Sequence, residues 1–109
     1  MTARIERFTE PAVLLLLREG PKHGYELLER LAELSSGSAS LDLGNLYRLL
    51  RAMEAEGLVR SEWQTEPGPP RRVYRLADAG ALLLEGWAAS LRDMRGTLDR
   101  FLDLYDQRR

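Results

Sequence analysis

Residues 41–59, LDLGNLYRLLRAMEAEGLV, place hydrogen-bonding side chains beside an apolar stripe. Four apolar residues recur at the three- and four-residue spacing of one helix face: Leu46, Leu49, Leu50 and Met53. Asn45 and Arg48 lie off that stripe, and such side chains can form paired hydrogen bonds with adenine and guanine respectively. Tyr47 and Arg51 also lie off it and are suited to holding phosphates. The pattern predicts a helix anchored by one face, with nucleic-acid-binding chemistry on the other.

The ends of this helix carry their own signals. Asp42 is a good N-cap, because its carboxylate can accept from the unpaired amides of the first turn. Gly57 fits the left-handed residue that ends a helix, so helix three is expected at about 43–56. Gly44 has no side chain, so a phosphate can approach the backbone at a helix start, where anions are favoured.

Residues 67–76 contain three arginines and no acidic residue. Arg71 and Arg72 follow the turn PGPP, which stiffens the tip of an expected hairpin, where the two side chains could enter a minor groove or contact its walls. The alternative is a pair of surface salt bridges with Glu62 or Glu66, which would contribute little to stability.

Two helices are expected before residue 41. Helix one covers about 10–19, with Thr9 as cap, and its near-continuous apolar run predicts deep burial. Helix two covers KHGYELLERLAEL, residues 22–34, and ends in a breaker-rich loop at 35–40. Its expected apolar face comprises Tyr25, Leu28, Leu31 and Ala32.

Two segments rich in β-branched and aromatic residues flank the Pro/Gly turn, Leu58–Gln64 and Arg72–Leu76. They predict a hairpin in which Trp63 packs. Arg72, Tyr74 and Leu76 would share one of its faces, because alternate residues of a strand point to the same side.

A final helix is expected over about 78–107. Its apolar residues are spaced alternately three and four apart, a pattern typical of a coiled-coil seam between helices: Leu84, Trp87, Leu91, Met94, Leu98, Phe101 and Tyr105. The seam predicts a homodimer. The expected organisation is therefore mainly α (α+β): a winged helix-turn-helix DNA-binding domain at 1–77 and a C-terminal dimerisation helix at 78–109.

Composition limits the function. The 109 residues suffice for one module, and the net charge of −1 lacks the basic excess common in nucleic-acid-binding domains. There is no Cys and only one His, so disulfides, thiolate metal sites and multi-His metal sites are excluded, and we expect no cofactor. Nothing resembles a signal peptide or a membrane span, which predicts a soluble, cytoplasmic protein.

Three segments in order, LLLLREGPKHGYELLERL, LGNLYRLLRAMEAEGLV and PPRRVYRLADAG, resemble signatures of the PadR family of bacterial transcriptional regulators. The resemblance covers residues from about 12 to 80. It implies a winged helix-turn-helix, a two-fold dimer through the C-terminal helix, double-stranded DNA as partner and repression of nearby genes. The single short C-terminal helix resembles the family's small subclass.

Residue by residue, HGYE at 23–26 matches the family's start of helix two, which places Tyr25 near the DNA backbone. Matches to the recognition-helix and wing motifs are Gly44, Leu46, Tyr47, Arg71, Arg72, Tyr74, Leu76 and Gly80. Leu43 and Asn45 depart from the family's usual Pro and Thr, so the motif does not specify the operator. Some subclass members bind flat apolar molecules between subunits through an aromatic residue of the last helix. Trp87 is the counterpart, although its place in the seam also explains it as a packing residue.

Two function classes remain open. The first is a homodimeric DNA-binding regulator that reads a pseudo-palindrome. The second is a winged-helix module for protein contacts that does not read DNA, which the net charge favours. Tyr47 and the wing arginines favour the first, although Tyr47 could be partly core and Arg48 could be a solvated surface residue. An enzyme is disfavoured, because no nucleophile and base arrangement can be identified.

Overall fold

The computed structural model describes residues 8–34 and 41–107. Its helices and strands follow in the order α1 Thr9–Arg18, β1 Lys22–His23, α2 Gly24–Leu34, α3 Leu43–Ala55, β2 Val59–Gln64, β3 Arg71–Leu76 and α4 Asp78–Gln107. The strands form one antiparallel sheet in the order β1-β3-β2. The chain is thus mainly helical with a small sheet, as predicted. The expected loop at 35–40 lies outside the described residues.

Helix α1 forms the centre of the core. Its consecutive apolar side chains are nearly all buried, because α2, α4 and β3 pack around it. Phe8 occupies the N-cap position without a side-chain cap bond, and Thr9 lies inside the helix, so the assignment of Thr9 as the cap was wrong. Phe8 packs against the core instead.

Helix α2 starts two residues later than the sequence predicts. Lys22 and His23 form the short strand β1, paired with Tyr74 and Val73 of β3. The expected apolar face was also wrong in part. Tyr25 is 62% exposed and Ala32 is exposed, whereas the helix turns Leu27 and Leu31 into the core.

The caps of α3 were predicted correctly. The Asp42 carboxylate accepts a hydrogen bond of 2.7 Å from the Asn45 amide. Gly57 follows the helix with φ of +77°, a left-handed conformation that favours glycine. Leu46, Leu50 and Met53 are fully buried, so α3 is anchored by the apolar stripe that the sequence indicates.

Strands β2 and β3 form the hairpin, which we call the wing. Each residue from Val59 to Gln64 pairs with one from Leu76 back to Arg71. The half of the wing next to α3 is anchored by buried Val59 and Tyr74. Trp63 does not pack into the hairpin as expected, because it is 61% exposed near the tip.

Helix α4 has the predicted bounds. Gly80 lets it pack against the segment between α3 and β2, because a Cβ at this position would overlap the Leu58 carbonyl oxygen. Leu84 is buried, and Trp87 and Leu91 are partly buried. Beyond them the apolar residues of the seam are exposed: Met94, Leu98, Phe101 and Tyr105. No helix within the described residues is apolar and long enough to cross a membrane.

Candidate nucleic-acid interface

A cleft of about 520 Å³ lies between α3 and the wing. Helix α3 forms one wall, the wing forms the other, and the start of α2 lies at its edge. The residues that line it are Tyr25, Tyr47, Arg51, Glu54, Trp63, Pro70, Arg71, Arg72 and Tyr74. Three arginines and four aromatic residues therefore share one open surface depression.

Helix α3 presents a polar face beside this cleft. Gly44, Arg48 and Arg51 are exposed on successive turns, and Asn45 is exposed next to them. Within the part of the chain that the structure describes, neither Arg48 nor Arg51 forms an ion pair. Binding of a ligand by either guanidinium group would therefore break no ion pair with these described residues.

The start of α3 is already occupied by an acidic side chain. Besides accepting from the Asn45 amide, Asp42 accepts a second hydrogen bond, 3.2 Å long, from the Asn45 side chain. A phosphate approaching Gly44 would therefore meet the Asp42 carboxylate nearby. An asparagine amide carries two N–H donors and an acceptor oxygen, so this bond leaves one N–H and Oδ1 of Asn45 for a base.

Tyr47 bridges α3 and α2. Its ring lies so close to Gly24 that a Cβ there would come within 2.5 Å of the Tyr47 hydroxyl oxygen. The side chain is partly buried and also faces the cleft. Packing on the core and contact with a ligand are therefore compatible roles for Tyr47.

Two wing arginines point to different sides of β3. Arg72 lies on the same face as buried Tyr74, opposite Trp63, with its Cζ 5.3 Å from the centre of the Trp63 ring. Its Nε donates a 2.8 Å hydrogen bond to Ser61 Oγ. Arg71 alternates to the other face, where its Nη1 lies 3.2 Å from His23 Nε2.

His23 itself belongs to a local cap of α2. Its backbone amide donates to Glu26 Oε1, and the Glu26 amide donates back to His23 Nδ1. This reciprocal arrangement resembles a capping box, in which residues three apart satisfy each other's amides. The arrangement gives His23 a structural role at the start of α2.

Surface salt bridges do not occupy the wing arginines that line the cleft. Glu62 pairs instead with Arg75, at 2.8 Å, on the hairpin face that carries Arg71. Within the described residues, Arg71 and Arg72 form no salt bridge. The alternative of ion pairs with Glu62 or Glu66 is therefore not observed.

Tyr74 forms the floor of the cleft. Burial raises the pKa of its hydroxyl above the usual value, and the Arg72 guanidinium opposes that shift only in part. Glu54 acts in the same direction as burial. Tyr74 therefore remains neutral, and it adds no charge to the arginines around it.

The cleft brings together five of the eight residues predicted to bind DNA: Tyr25, Tyr47, Arg51, Arg71 and Arg72. Gly44, Asn45 and Arg48 are exposed on α3 outside it. Sequence reasoning missed the contributions of Trp63, Ser61 and Glu54. Strand register alone would have placed Trp63 opposite Arg72, because directly opposed side chains of an antiparallel pair interact.

The packed α2 and α3 helices, the wing and the long α4 define the class of the molecule as a winged helix-turn-helix protein. Residues 13–86 match the transcriptional regulator PadR-like family. The chain belongs to this family, and the protein is a PadR-family transcriptional regulator. Members of the family are regulators rather than enzymes.

Solved structures share the fold. A conserved protein that is a potential transcriptional factor has 34% sequence identity, with 98% of this chain and 96% of that one covered, and a TM-score of 0.81. A PadR family transcription regulator from Clostridium difficile has 25% identity, coverage of 87% and 98%, and a TM-score of 0.78. A PadR-like transcriptional regulator from Bacillus cereus has 28% identity, coverage of 85% and 89%, and a TM-score of 0.76. No curated protein matches the sequence significantly.

Proposed function

We propose that the protein is a cytoplasmic, sequence-specific DNA-binding repressor that binds a pseudo-palindromic operator as a homodimer. The observation that carries this proposal is the junction of α3 and the wing, where aromatic residues line one cleft with three arginines that form no salt bridge to any described residue. Arginine suits phosphate and base recognition, because its planar donors match both groups. Residues 1–77 would bind DNA, and residues 78–109 would hold the dimer together.

Helix α3 is proposed to enter the major groove. Its buried stripe anchors it against α2, while Asn45 and Arg48 lie exposed near its start. This is the geometry in which a recognition helix reads base edges with its first turns. Each well-aligned bidentate contact would contribute about 1–3 kcal/mol of discrimination against a wrong base.

Phosphate contacts would surround α3 and set its register. The residues that line the cleft are Tyr47 and Arg51 from α3, Tyr25 from α2, and Arg71 and Arg72 from opposite faces of β3. Contacts of this kind carry affinity on any sequence and make binding depend on salt. The Asn45 amide already donates to the Asp42 carboxylate. A phosphate that binds near Gly44 would therefore have to lie on a side away from this amide.

A homodimer is proposed through α4. Its distal apolar residues, from Met94 to Tyr105, are exposed and repeat with the spacing of a coiled-coil seam. An exposed apolar stripe of this length favours burial against a partner surface. A two-fold partner would present two α3 helices to half-sites about 34 Å apart, one turn of DNA.

Regulation would act through the same dimer. A flat apolar effector between the subunits could change the distance between the two α3 helices only if it binds the dimer with one distance more tightly than the dimer with the other. Trp87 is the candidate aromatic residue of α4 for contact with such a ligand. Its packing against the core supports the structural role for Trp87 that the seam pattern also indicates.

The test is a titration of the purified protein against its own upstream DNA and a scrambled duplex of equal length, at two salt concentrations. Tighter binding to the upstream duplex, weakening as salt rises, is the expected result. Arg71→Ala combined with Arg72→Ala should weaken binding to both duplexes and reduce the salt slope by up to about 2, one unit for each phosphate that is no longer neutralised. An unchanged slope would contradict the wing contact.

The competing function is a winged-helix module for protein contacts, for which the net charge of −1 is the specific observation. If the protein has this function, its binding to both duplexes should be equal and negligible. To exclude an operator elsewhere as the reason, the same protein should also be titrated with fragmented genomic DNA. Failure there too would favour the protein-contact function.

A further inference from the structure

The Arg72 guanidinium is held between two neighbours on the cleft side of the wing. Its Nε donates a 2.8 Å hydrogen bond to Ser61 Oγ, and its Cζ lies 5.3 Å from the centre of the Trp63 ring. A cation at this distance from an indole is attracted to its ring. Arg71, the adjacent arginine, has neither contact and lies on the opposite face of β3.

Strand register creates this arrangement. Trp63 is directly opposite Arg72, and Ser61 is directly opposite Tyr74, the next residue on the same face of β3. The Arg72 side chain therefore lies across a surface that Trp63 and Ser61 build from the neighbouring strand.

Ser61 also connects the wing to α3. Its hydroxyl donates a 2.7 Å hydrogen bond to Glu54 Oε2 and accepts from Arg72 Nε. The chain of hydrogen bonds thus runs from Arg72 through Ser61 to Glu54 near the end of α3. It ties the position of a wing guanidinium to the helix that carries Asn45 and Arg48.

Among the described residues, Trp63 takes no part in the hydrophobic core. It is exposed, whereas the wing is anchored by Val59 and Tyr74. Its ring contact within the described residues is with Arg72. An arginine loses many rotamers when it binds a phosphate, so a ring that fixes it beforehand lowers the entropic cost of binding.

We infer that Trp63 and Ser61 are positioning residues that hold the Arg72 guanidinium at the cleft, ready for the DNA backbone. This inference rests on the proposed DNA-binding function. Trp63 acts through Arg72 and not by its own contact with DNA. Because the Arg72–Trp63 pair is partly exposed, removal of the ring should weaken DNA binding about two- to fivefold for each wing that contacts DNA.

The first experiment needs no DNA. Nitrogen-15 NMR of the arginine Nε–H groups measures whether the Arg72 side chain is ordered, with exposed Arg48 as the internal reference. The expected result is an ordered, ring-shifted Arg72 Nε–H signal that Trp63→Leu abolishes and Trp63→Phe largely keeps. An Arg72 signal as averaged as that of Arg48 would overturn the inference whether or not the protein binds DNA.

The second experiment is a double-mutant cycle in DNA binding. Trp63→Leu should weaken binding in the native protein but have no effect in the Arg72→Ala variant, since the residue through which it acts is gone. Arg75→Ala is the matched control, because Arg75 lies on the same strand but pairs with Glu62 on the other face. In that background Trp63→Leu should keep its full effect, and all variants should unfold at similar temperatures.

The outcomes separate the two levels of the proposal. Equal weakening by Trp63→Leu in the native and Arg72→Ala proteins would mean that the indole contacts DNA itself, and would overturn the positioning role. Weakening by Arg72→Ala alone would overturn it while leaving the proposed function intact. Absence of salt-dependent DNA binding by the native protein would overturn both.

Discussion

The exposed seam of α4 can be broken at one residue without disturbing the core. Leu98 is 51% exposed, so Leu98→Asp removes little packing within the chain. Full burial of a leucine contributes about 1.5–3 kcal/mol, and roughly half of that remains to be gained at Leu98 on dimerisation. The proposed two-fold dimer would contain two copies of Leu98, so the substitution should cost about 1.5–3 kcal/mol, or about 10- to 150-fold in the dimer dissociation constant. The cost of burying a charge adds to this value.

Sedimentation equilibrium over a range of protein concentrations measures that constant. Leu104→Asp is the matched control, because Leu104 is 66% exposed and lies about 120° from Leu98 around the helix. The control should leave the dimer nearly unchanged. If Leu98→Asp and Leu104→Asp shift the constant equally, or not at all, the seam does not form the interface. Circular dichroism should find both variants folded.

Three further results are expected from the described contacts. Gly80→Ala should lower the free energy of unfolding, measured by urea denaturation, by about 1–3 kcal/mol, because the new Cβ would meet the Leu58 carbonyl. The control Gly86→Ala places its Cβ in open space and should raise that free energy by up to about 1 kcal/mol. Equal effects of the two substitutions would contradict the close packing at Gly80. Asn45→Ala should change base preference in a panel of substituted operators, and equal weakening on every sequence would assign Asn45 to the backbone. The pKa of Tyr74 is raised in the folded state, so its contribution to stability is fully present below the unfolded pKa of 10.0 and is lost as pH rises through the higher folded pKa. Tyr74→Phe should therefore reduce the fall in the free energy of unfolding at alkaline pH. An unchanged dependence of that free energy on pH would argue against the raised pKa as its cause.

Local signals made much of the fold predictable. The bounds of α4 follow from its apolar spacing, and those of α3 follow from Asp42 and Gly57, because caps act on the amides and carbonyls of the adjacent turn. These features depend on residues near one another in the chain. The same is true of the turn that joins β2 and β3.

Features that depend on distant residues were missed. Strand β1 has only two residues, and it exists because β3, about fifty residues later, supplies its partner. Tyr25 has an aromatic ring that suggests burial, but the packing of α2 on α1 and α3 turns Leu27 inward instead. Trp63 was expected to pack in the hairpin, but its side chain is exposed near the tip.

The candidate site shows the same division. Residue type and position indicated Tyr47, Arg51, Arg71 and Arg72, and the family resemblance indicated Tyr25. All five line the cleft. The supporting hydrogen bonds that link Glu54, Ser61 and Arg72 could not be found in this way, because they depend on register and on how α3 packs against β2. The hydrogen bond between Asp42 and the Asn45 side chain could not be predicted from the sequence pattern either, because it requires a particular rotamer.

The most direct test of the central claim is selection of binding sites from a pool of random DNA duplexes, because it requires no knowledge of the regulated genes. A dimer that places two α3 helices in successive major grooves should enrich inverted half-sites whose centres lie about 10–10.5 base pairs apart, or a multiple of that spacing. Enrichment should fall with Asn45→Ala at defined positions only. A selected pool that stays random, or a single motif without two-fold symmetry, would contradict the claim.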